Sequence, residues 1–359
     1  MDIWYSTISD HPFTLYNLQT PKHILVIRFS SLGDVAMTVP VIKNVLQQNP
    51  TLQITVVSNA FLQPLFEGLE RCFFYPAFLN QQHKGIAGIY RLFKALNKAC
   101  SFDAVVDLHN VLRSKILTTF YKFNGVKIAT LDKGRSAKKA LTRKEGKVLK
   151  QLTSMHERYA NIFRETGLAV QFQQSEPVYQ RKNIPAALQN IFSSGKKIFA
   201  VAPFAQYTEK MYPVEKMKIV VKQLAEANHT VLLFGGGTNE AAVLQQWEQE
   251  IFSVFNMAGK YSLQDELAII SNVDKMVSMD SANMHLASLF NVPVVSIWGA
   301  THPFAGFYGW AQDEANIVHI ELECRPCSVF GNKPCYRGDH ACMNRIEEAM
   351  IVNKIIKPS

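Results

Sequence analysis

The chain has 359 residues, of which 48% are hydrophobic and 19% are charged, as in an ordinary soluble globular protein. This length favours two domains of about 150 to 180 residues each. No apolar run reaches the roughly 18 residues that a membrane span requires, and residues 1–20 lack the basic region of a secretory signal. We therefore expect a two-domain cytoplasmic protein without a membrane-spanning segment.

The stretch from His23 to Pro40 predicts the first unit of a doubly wound α/β domain. The apolar run Ile24–Phe29 is too short for an ordinary helix and is typical of a buried parallel strand. Ser30–Asp34 interrupts the run, and Val35–Gln48 resumes with helical spacing. Asp34 thus falls at the carboxyl end of a strand, where ligands of such domains bind. The simpler alternative is that Asp34 only caps the helix.

Strands and helices go on alternating to about residue 165. Further strands are predicted at Gln53–Ser58, Cys72–Pro76, Asp103–Leu108 and Gly125–Thr130. Further helices are predicted at Asn59–Leu69, at Ile86–Ala99, from Val111, and near Ser154–Glu165. The proline-containing stretch Gly167–Ala187 is the best candidate linker. We therefore place an N-terminal lobe at residues 1–180, in which residues 1–20 are an ordered extension or a loose tail, and a C-terminal lobe at 181–359.

The second half repeats the scheme. Strands are predicted at Lys197–Ala202, Thr230–Phe234, Val254–Met257, Lys275–Met279 and Val294–Trp298. Helices are predicted at Val214–Ala227 behind a first-turn proline at 213, from Asn239, and at Leu263–Ser271, Met284–Phe290 and Arg345–Ile356. The expected fold is α/β, with two Rossmann-like lobes that each hold a parallel sheet. The cleft between the lobes is the expected binding site.

Loops at the strand ends of the second lobe carry the candidate chemistry. The run Gly235–Gly237 lets a ligand approach the backbone, but it is not the G-x-G-x-x-G of a dinucleotide site. The turn Asp280–Asn283 leads into a helix and could hold a diphosphate on its N–H groups, or it could serve only as a cap. Lys210 would add a positive charge beside such phosphates, although a single surface lysine usually has no such role. His285, one turn into the same helix, is more often a packed residue than a catalyst.

The formal net charge is +9, and much of the excess lies between residues 133 and 150. The basic residues of this segment are Lys133, Arg135, Lys138, Lys139, Arg143, Lys144, Lys147 and Lys150. No nucleic-acid-binding motif accompanies them, so we predict no nucleic-acid partner. An anionic membrane surface or a phosphorylated acceptor would explain the segment, and so would a simple solvated face.

Four of the six cysteines form a C-x2-C-x7-C-x6-C cluster at Cys324, Cys327, Cys335 and Cys342. The spacing could hold zinc, but the second pair is not a tight C-x2-C knuckle. Disulfides are disfavoured in a cytosolic protein. Packed free thiols therefore suit the sequence better than a structural metal.

Several motifs, taken in order, resemble glycosyltransferase family 9, the lipopolysaccharide heptosyltransferases. They are I-L-V-I-R-F-S-S-L-G-D at 24–34, D-L-H-N-V-L-R-S at 107–114, K-M-Y-P at 210–213, G-G-G-T-N-E at 235–240, M-D-S-A-N-M-H-L-A at 279–287, and the terminal C-x-P-C group. The resemblance covers nearly everything from residue 23 on. Two departures stand out: the family often has Thr-Gly at Ser281-Ala282 and Trp at Tyr212.

The resemblance implies a two-lobed GT-B enzyme that transfers a sugar with inversion and needs neither a cofactor nor a catalytic metal. It implies that Asp34 is the general base. The residues expected to bind the nucleotide-sugar donor are Lys210, Asp280, Ser281, Ala282, His285, Glu240, Tyr261, Gly235 and Gly236. For the acceptor we predict Ser31, Arg113, Arg135, Lys138 and Lys139.

The resemblance further implies that a heptose moves from a nucleoside diphosphate, best ADP-heptose, to a lipopolysaccharide inner-core or related lipid-linked acceptor. We expect a monomer that touches the anionic inner face of the cytoplasmic membrane through Arg135, Lys138, Lys139, Arg143 and Lys144. The alternatives are a GT-B transferase for another sugar, a sugar-nucleotide epimerase, or a non-catalytic nucleotide-sugar-binding module. An oxidoreductase would need a true dinucleotide motif.

Overall fold

The fold consists of two parallel β-sheets, each covered by helices. It is known from a computed structural model, which describes residues 20–172 and 177–357. The predicted extension at residues 1–20 lies outside the described residues except for its last residue. The α/β fold with two Rossmann-like lobes is confirmed.

The first sheet has the strand order β3-β2-β1-β4-β5, with every neighbouring pair parallel. Its strands are β1 (His23–Ile27), β2 (Gln53–Asn59), β3 (Cys72–Ala77), β4 (Ala104–Asp107) and β5 (Lys127–Thr130). The helices of this part are α1 (Leu32–Ala36), α2 (Thr38–Gln48), α3 (Gly85–Ala99), α4 (Leu112–Phe123), α5 (Arg135–Leu141) and α6 (Met155–Glu165).

The second sheet has the strand order β11-β10-β9-β6-β7-β8 and is also parallel. Its strands are β6 (Ile198–Ala202), β7 (Thr230–Leu233), β8 (Val254–Asn256), β9 (Lys275–Met279), β10 (Val294–Ile297) and β11 (Ile317–Val318). The helices are α7 (Gln189–Phe192), α8 (Val214–Glu226), α9 (Gly237–Glu250), α10 (Leu263–Ile270), α11 (Ala282–Ser288), α12 (Ala341–Asn344) and α13 (Glu348–Ile356).

The central strand β1 shows why a short apolar run forms the middle of a sheet. Ile24 and Val26 pack into the core on one face, and Leu25 and Ile27 pack into a separate core on the other. Side chains alternate between the two faces of a strand, so a strand covered on both faces must be apolar throughout. All four residues are fully buried.

Several predicted elements differ from the structure. The single helix expected at Val35–Gln48 is two helices, α1 and α2, and Asp34 lies inside the first turn of α1 instead of preceding it. The helix predicted at Asn59–Leu69 is wrong: Pro64 lies in a short 3₁₀ helix, Ala60–Leu65. Pro213 is the N-cap of α8 and not its first helical residue. The helix predicted at Arg345–Ile356 begins only at Glu348, as α13, and neither the short helix α12 before it nor the two-residue strand β11 was predicted.

Helix α1 of the first lobe packs against α11 of the second, and this contact holds the strand ends of the two lobes face to face. Gly33 makes the close approach possible. A Cβ atom on Gly33 would lie 3.0 Å from His285 Cδ2 and 3.2 Å from Ala282 Cα. The lobes also share backbone hydrogen bonds, in which Leu152 and Met155 donate to the carbonyl groups of Phe304 and Gly306.

Candidate active site

Two large cavities lie on either side of the α1 N-terminus. The interlobe cavity, of about 540 Å³, is lined by α1 and by the strand-end loops of the second lobe. The basic cavity, of about 560 Å³, is lined by the loop after β1, by the segment around α5 and by residues near 330. The residues common to both linings are Ser31, Asp34, Phe307, Val329 and Phe330. Asp34 is therefore the carboxylate at the wall between the cavities.

Asp34 is held by its neighbours through one of its two oxygens. Its Oδ2 lies 2.7 Å from the Arg28 guanidinium. The Ser31 hydroxyl donates to the same oxygen at 2.8 Å, and the Ser31 backbone N–H does so at 3.4 Å. Within residues 20–172 and 177–357, no group donates a hydrogen bond to Asp34 Oδ1. The N-cap of α1 is therefore Ser31 and not Asp34, as the simpler alternative expected; Asp34 accepts from Ser31 in the first turn and still has one oxygen available for a proton.

Arg28 sets the charge state of Asp34. Burial alone would raise the pKa of Asp34, but the Arg28 guanidinium and the two Ser31 hydrogen bonds outweigh burial and leave that pKa below its ordinary value. Asp34 is therefore ionised near neutral pH. Arg28 itself is buried and donates to the Leu108 carbonyl at 2.7 Å. Arg28 was not predicted as a site residue, although a charged residue directly after an apolar strand indicates a possible functional role.

On the second-lobe side, Lys210 and Asp280 form an ion pair of 3.1 Å, with 14% and 9% of their side-chain surfaces exposed. Both line the interlobe cavity, together with Ser281, Ala282 and His285. Burial lowers the pKa of His285 to about 4, although Asp280 and Asp34 oppose the shift. The imidazole is therefore neutral at pH 7, and its buried Nδ1 has no hydrogen-bond partner in the described part of the chain.

Glu240, Gly235 and Gly236 also line the interlobe cavity. Glu240 accepts a hydrogen bond of 2.7 Å from the Gly236 N–H, so this carboxylate holds the glycine turn in place. Tyr261 is half-buried against the core and, among the described residues, is not part of the cavity lining. The predicted donor residues thus come together in one cavity, with the exception of Tyr261.

Glu266 lines the interlobe cavity but was not predicted. It lies one turn into α10, and burial raises its pKa to about 7. No side-chain hydrogen bond or ion pair of Glu266 is present in the described part of the chain. The place of Glu266 in the cavity could not be predicted from the sequence, because Glu is a common residue in the first turn of a helix.

The basic cavity carries a strong positive charge. Its cationic residues are Arg28, Lys133, Arg135, Lys138, Lys139 and Lys333, and Asp34 is the acidic residue of its described lining. Of the predicted acceptor residues, Ser31, Arg135, Lys138 and Lys139 line this cavity, whereas Arg113 is exposed on α4 and does not. An anionic ligand suits this lining.

Lys138 corrects one expectation about the membrane. It was grouped with the membrane-facing residues, but only 7% of it is exposed. Its Nζ lies 4.4 Å from the ring centroid of Phe307 and 5.9 Å from that of Phe330, both in the second lobe. A lysine enclosed by two aromatic rings cannot reach a membrane surface. Arg135, Lys139, Arg143 and Lys144 are exposed, as expected.

The D-L-H-N-V-L-R-S motif builds the wall behind Asp34. The fully buried Asp107 accepts hydrogen bonds from the backbone N–H groups of His109 and Asn110 and from the Ser114 hydroxyl. His109 Nδ1 accepts from the Phe29 N–H at 3.3 Å, directly beside the loop that carries Asp34. The motif therefore shapes the loop, and Asp107 has no free oxygen for a ligand.

One group of side chains in the described ranges brings three potential metal ligands within 4.8 Å: His302, His319 and Glu321. His302 Nδ1 accepts from the Phe304 N–H, and His319 Nδ1 lies 3.1 Å from the Arg325 guanidinium. Both rings use Nδ1 as an acceptor, so the proton of each neutral ring is on Nε2, which cannot then bind a metal. The nearby guanidinium would also repel a cation.

The sequence profile of glycosyltransferase family 9 (heptosyltransferase) matches residues 89–334. The chain belongs to this family. The resemblance drawn from the motifs is thereby confirmed.

This family 9 chain is 26% identical over 174 residues to lipooligosaccharide heptosyltransferase 2 of Campylobacter jejuni subsp. jejuni serotype O:6, an alignment that covers 47% of the chain and 54% of that protein. It thus spans about half the length of that relative. Its fold matches the glycosyl transferase family 9 structure from Veillonella parvula with a TM-score of 0.71 at 19% identity, covering 93% of this chain and 96% of that one. The E. coli ADP-heptose lps heptosyltransferase II gives 0.64 at 18%, covering 93% and 97%.

The fold of this family 9 chain is therefore that of the GT-B heptosyltransferases. The part of the chain that the structure describes contains no helix with the length and apolar character needed to cross a bilayer.

Proposed function

We propose that the protein is an inverting heptosyltransferase that uses Asp34 as its general base. The observation that carries the proposal is the position of Asp34 at the wall shared by the interlobe cavity and the basic cavity. A transferase must bring two substrates to one carboxylate from different sides. In this proposal the interlobe cavity binds the nucleotide-sugar and the basic cavity binds the acceptor.

The reaction begins with an acceptor hydroxyl beside Asp34. The hydroxyl oxygen attacks the anomeric carbon of the donor sugar, and its proton moves to Asp34 Oδ1. The bond from the anomeric carbon to the diphosphate breaks on the opposite side, and the diphosphate leaves with the electron pair. Lys210 and the backbone N–H groups at the start of α11 stabilise its charge. Attack opposite the leaving group inverts the anomeric carbon.

The donor of the proposal is ADP-heptose. Its support is the family, together with the E. coli relative whose structure is described as that of an ADP-heptose heptosyltransferase. Glu240 and Gly236 line the same cavity as Lys210, and the proposal puts the nucleoside at this glycine turn. The Asp280 carboxylate holds Lys210 toward the cavity, and the neutral His285 ring lines the same cavity.

The acceptor of the proposal is an anionic, lipid-linked saccharide of the lipopolysaccharide inner core. Five cations besides Arg28 line the basic cavity, and these would bind carboxylates or phosphates of such a saccharide. The exposed Arg135, Lys139, Arg143 and Lys144 would hold the protein at an anionic membrane surface, each contributing about 1 kcal/mol there. Val148 and Leu149, with 52% and 51% of their surfaces exposed, follow them.

The test of the function is a transfer reaction with purified protein, ADP-heptose and a heptose-deficient lipid-linked acceptor. We expect release of ADP together with an acceptor whose mass rises by one heptose unit, and neither product from Asp34→Asn. Conversion of the donor without an acceptor would instead identify an epimerase. Donor binding without turnover for ADP-, UDP-, GDP- and CMP-sugars would identify a binding module and contradict the proposal.

The membrane contact is tested by flotation with anionic vesicles. Replacing Arg135, Lys139, Arg143 and Lys144 by Ser should abolish vesicle binding and raise the acceptor KM, while donor binding stays unchanged. Replacing the four exposed residues Lys94, Lys98, Lys115 and Lys122 of α3 and α4 by Ser provides a matched loss of charge elsewhere. Vesicle binding that is the same at low and high salt would contradict an electrostatic contact.

The predicted division into lobes at residue 180 and the monomeric state remain part of this proposal. Size-exclusion chromatography with light scattering tests the second, and expression of residues 1–180 and 181–359 as separate proteins tests the first. We expect each lobe to fold alone, because each has its own sheet.

A further inference from the structure

The four clustered cysteines lie in the least regular part of the described chain. Residues 319–340, all of them described, form neither helix nor strand between the end of β11 and the start of α12. A long connection without secondary structure is uncommon in a compact domain unless something else holds it. Arg325 partly fixes this segment by donating hydrogen bonds to backbone carbonyl groups, among them those of Gly299, Trp298 and Thr301.

All four clustered cysteines, Cys324, Cys327, Cys335 and Cys342, line the same small cavity. Its volume is about 10 Å³, which is room for a single water-sized particle. None of them is in a disulfide. Cys342 is buried at the start of α12, and the other three are half-buried in loops. The fold thus places Cys324 and Cys342, which are 18 positions apart in the chain, at the same cavity.

The charges around this cavity favour an anionic centre. Arg325 also lines the cavity; only 3% of it is exposed, and among the described residues it forms no close ion pair, although the Glu321 carboxylate acts on it at longer range. Lys147 reaches the same region, where its Nζ donates to the Glu323 carbonyl at 2.9 Å. A buried guanidinium without a close ion-pair partner is costly. Nearby thiolates would supply the missing negative charge.

We propose that Cys324, Cys327, Cys335 and Cys342 bind one zinc ion as thiolates. Four thiolates around Zn²⁺ carry a net charge of −2, which would offset the positive charges of Arg325 and Lys147. Among the described residues, no three of these sulfurs lie within 4.8 Å of one another. Sulfurs bound tetrahedrally to zinc are about 3.8 Å apart, so binding draws them inward by side-chain rotation and small loop movements. The proposal does not depend on the identity of the sugar or the acceptor.

The ion would also position the active site. Residues 328–334 form the loop between Cys327 and Cys335, and Phe330 of this loop lines both large cavities. The ring centroids of Phe330 and Phe307 are 5.7 Å apart. Gly331 passes so close to Lys210 that a Cβ atom on it would lie 2.2 Å from Lys210 Cγ. Zinc at the base of this loop would therefore hold the surroundings of Lys210 and Lys138 in place.

The first test measures metal in protein purified under reducing conditions without added chelator. We expect about one zinc ion per chain in the wild type. Cys335→Ser and Cys324→Ser should each lose most or all of this zinc. Cys72→Ser and Cys100→Ser are the matched controls, since these cysteines lie in the first lobe, and they should keep the full metal content. Equal zinc in the wild type and in both cluster variants would place the ion elsewhere and overturn the proposal.

A second test needs no variant, so misfolding cannot obscure it. Zinc is removed from the wild-type protein by a chelator, and Co²⁺ is added while the absorption spectrum is recorded. We expect the intense bands of tetrahedral Co²⁺ with thiolate ligands, abolished by added Zn²⁺, and a melting temperature that falls on metal removal and returns with zinc. No Co²⁺ spectrum, or four thiols that stay freely titratable when one equivalent of Zn²⁺ is present, would overturn the proposal. Iron in place of zinc would overturn the choice of ion.

Discussion

The two large cavities that meet at Asp34 differ in how far their charged side chains are already paired within the protein. In the interlobe cavity the strongest charges are already engaged: Lys210 pairs with Asp280 at 3.1 Å, and Glu240 accepts from the Gly236 N–H. In the basic cavity Arg28 pairs with Asp34, whereas Lys133, Arg135, Lys139 and Lys333 form no ion pair with any described residue. The first cavity is preorganised, and the second has an excess of positive charge.

This difference agrees with the roles proposed for the two cavities. A nucleoside diphosphate is the same molecule in every turnover, so a site with fixed partners binds it at little cost in reorganisation. An anionic saccharide is bound by charges that gain their partner only when the ligand arrives. Each of the following experiments changes one side of the comparison and asks whether the other side responds.

The largest expected effect is that of Asp34→Asn, because it removes the proposed base, which lies at the wall that both cavities share. Turnover should fall by about 100-fold or more, while the donor affinity stays close to that of the wild type. Asn keeps an oxygen for the Ser31 hydrogen bonds, so the first turn of α1 should survive. Ser31→Ala is the control, since it removes the hydroxyl bond to Asp34 and keeps the carboxylate. Near-normal turnover in a folded Asp34→Asn protein would leave Asp34 as a helix-turn residue only.

Lys210→Ala tests the preorganised cavity. The charge of Lys210 acts on phosphate and not on the nucleoside, so affinity for ADP should fall by roughly 10- to 100-fold while affinity for adenosine hardly changes. Lys216, on the next helix, pairs with Glu348 away from the cavity, and Lys216→Ala is the matched control. Calorimetric titration with both ligands measures the difference. Equal losses for ADP and adenosine would place Lys210 outside the phosphate site.

The preorganised cavity was also the one that the sequence predicted better. Lys210, Asp280, Ser281, Ala282 and His285 lie in short stretches that directly follow strands, and strand ends share one edge of a parallel sheet. Their proximity thus depends on local pattern and on a topology that apolar runs reveal.

The basic cavity depends on tertiary packing, and the sequence predicted it less well. The charge run 133–150 was visible, but the inward direction of Lys138 depends on Phe307 and Phe330, which are 169 and 192 residues away in the chain. The ion pair of Arg28 with Asp34 and the approach of Gly33 to His285 depend on the packing of α1 against the second lobe. No periodicity in the sequence encodes these contacts.

Lys138 lines the basic cavity, but it packs against the Phe307 and Phe330 rings of the second lobe, which line both cavities. Burial lowers its pKa to about 8, so Lys138 loses its charge as the pH rises above that value. If it binds an acceptor anion, the acceptor KM should rise about 10-fold between pH 7 and 9, with the donor KM unaffected. Lys138→Arg keeps the charge and should flatten the profile. Lys139→Arg, the exposed neighbour, should behave as the wild type, and an unchanged slope in Lys138→Arg would assign the effect to another group.

The smallest expected effect belongs to Glu266, the carboxyl group of the interlobe cavity that has no partner. Burial raises its pKa to about 7, so it is largely neutral below that pH and charged above it. A carboxylate formed in the cavity repels each unit of charge on a diphosphate by about 1 kcal/mol at an effective dielectric constant near 20 and a separation of about 15 Å. The affinity for ADP should therefore fall roughly 5-fold from pH 6 to pH 8, whereas the affinity for uncharged adenosine should fall much less. Glu266→Gln should abolish the dependence, because its amide stays neutral.

Gln264→Glu is the control for this prediction. It places a new charge on the exposed side of the same helix and should leave the pH profile of ADP affinity unchanged. If the ADP profile of Glu266→Gln keeps its slope, the titrating group is another member of the cavity, and Glu266 is not the exception to its preorganised plan.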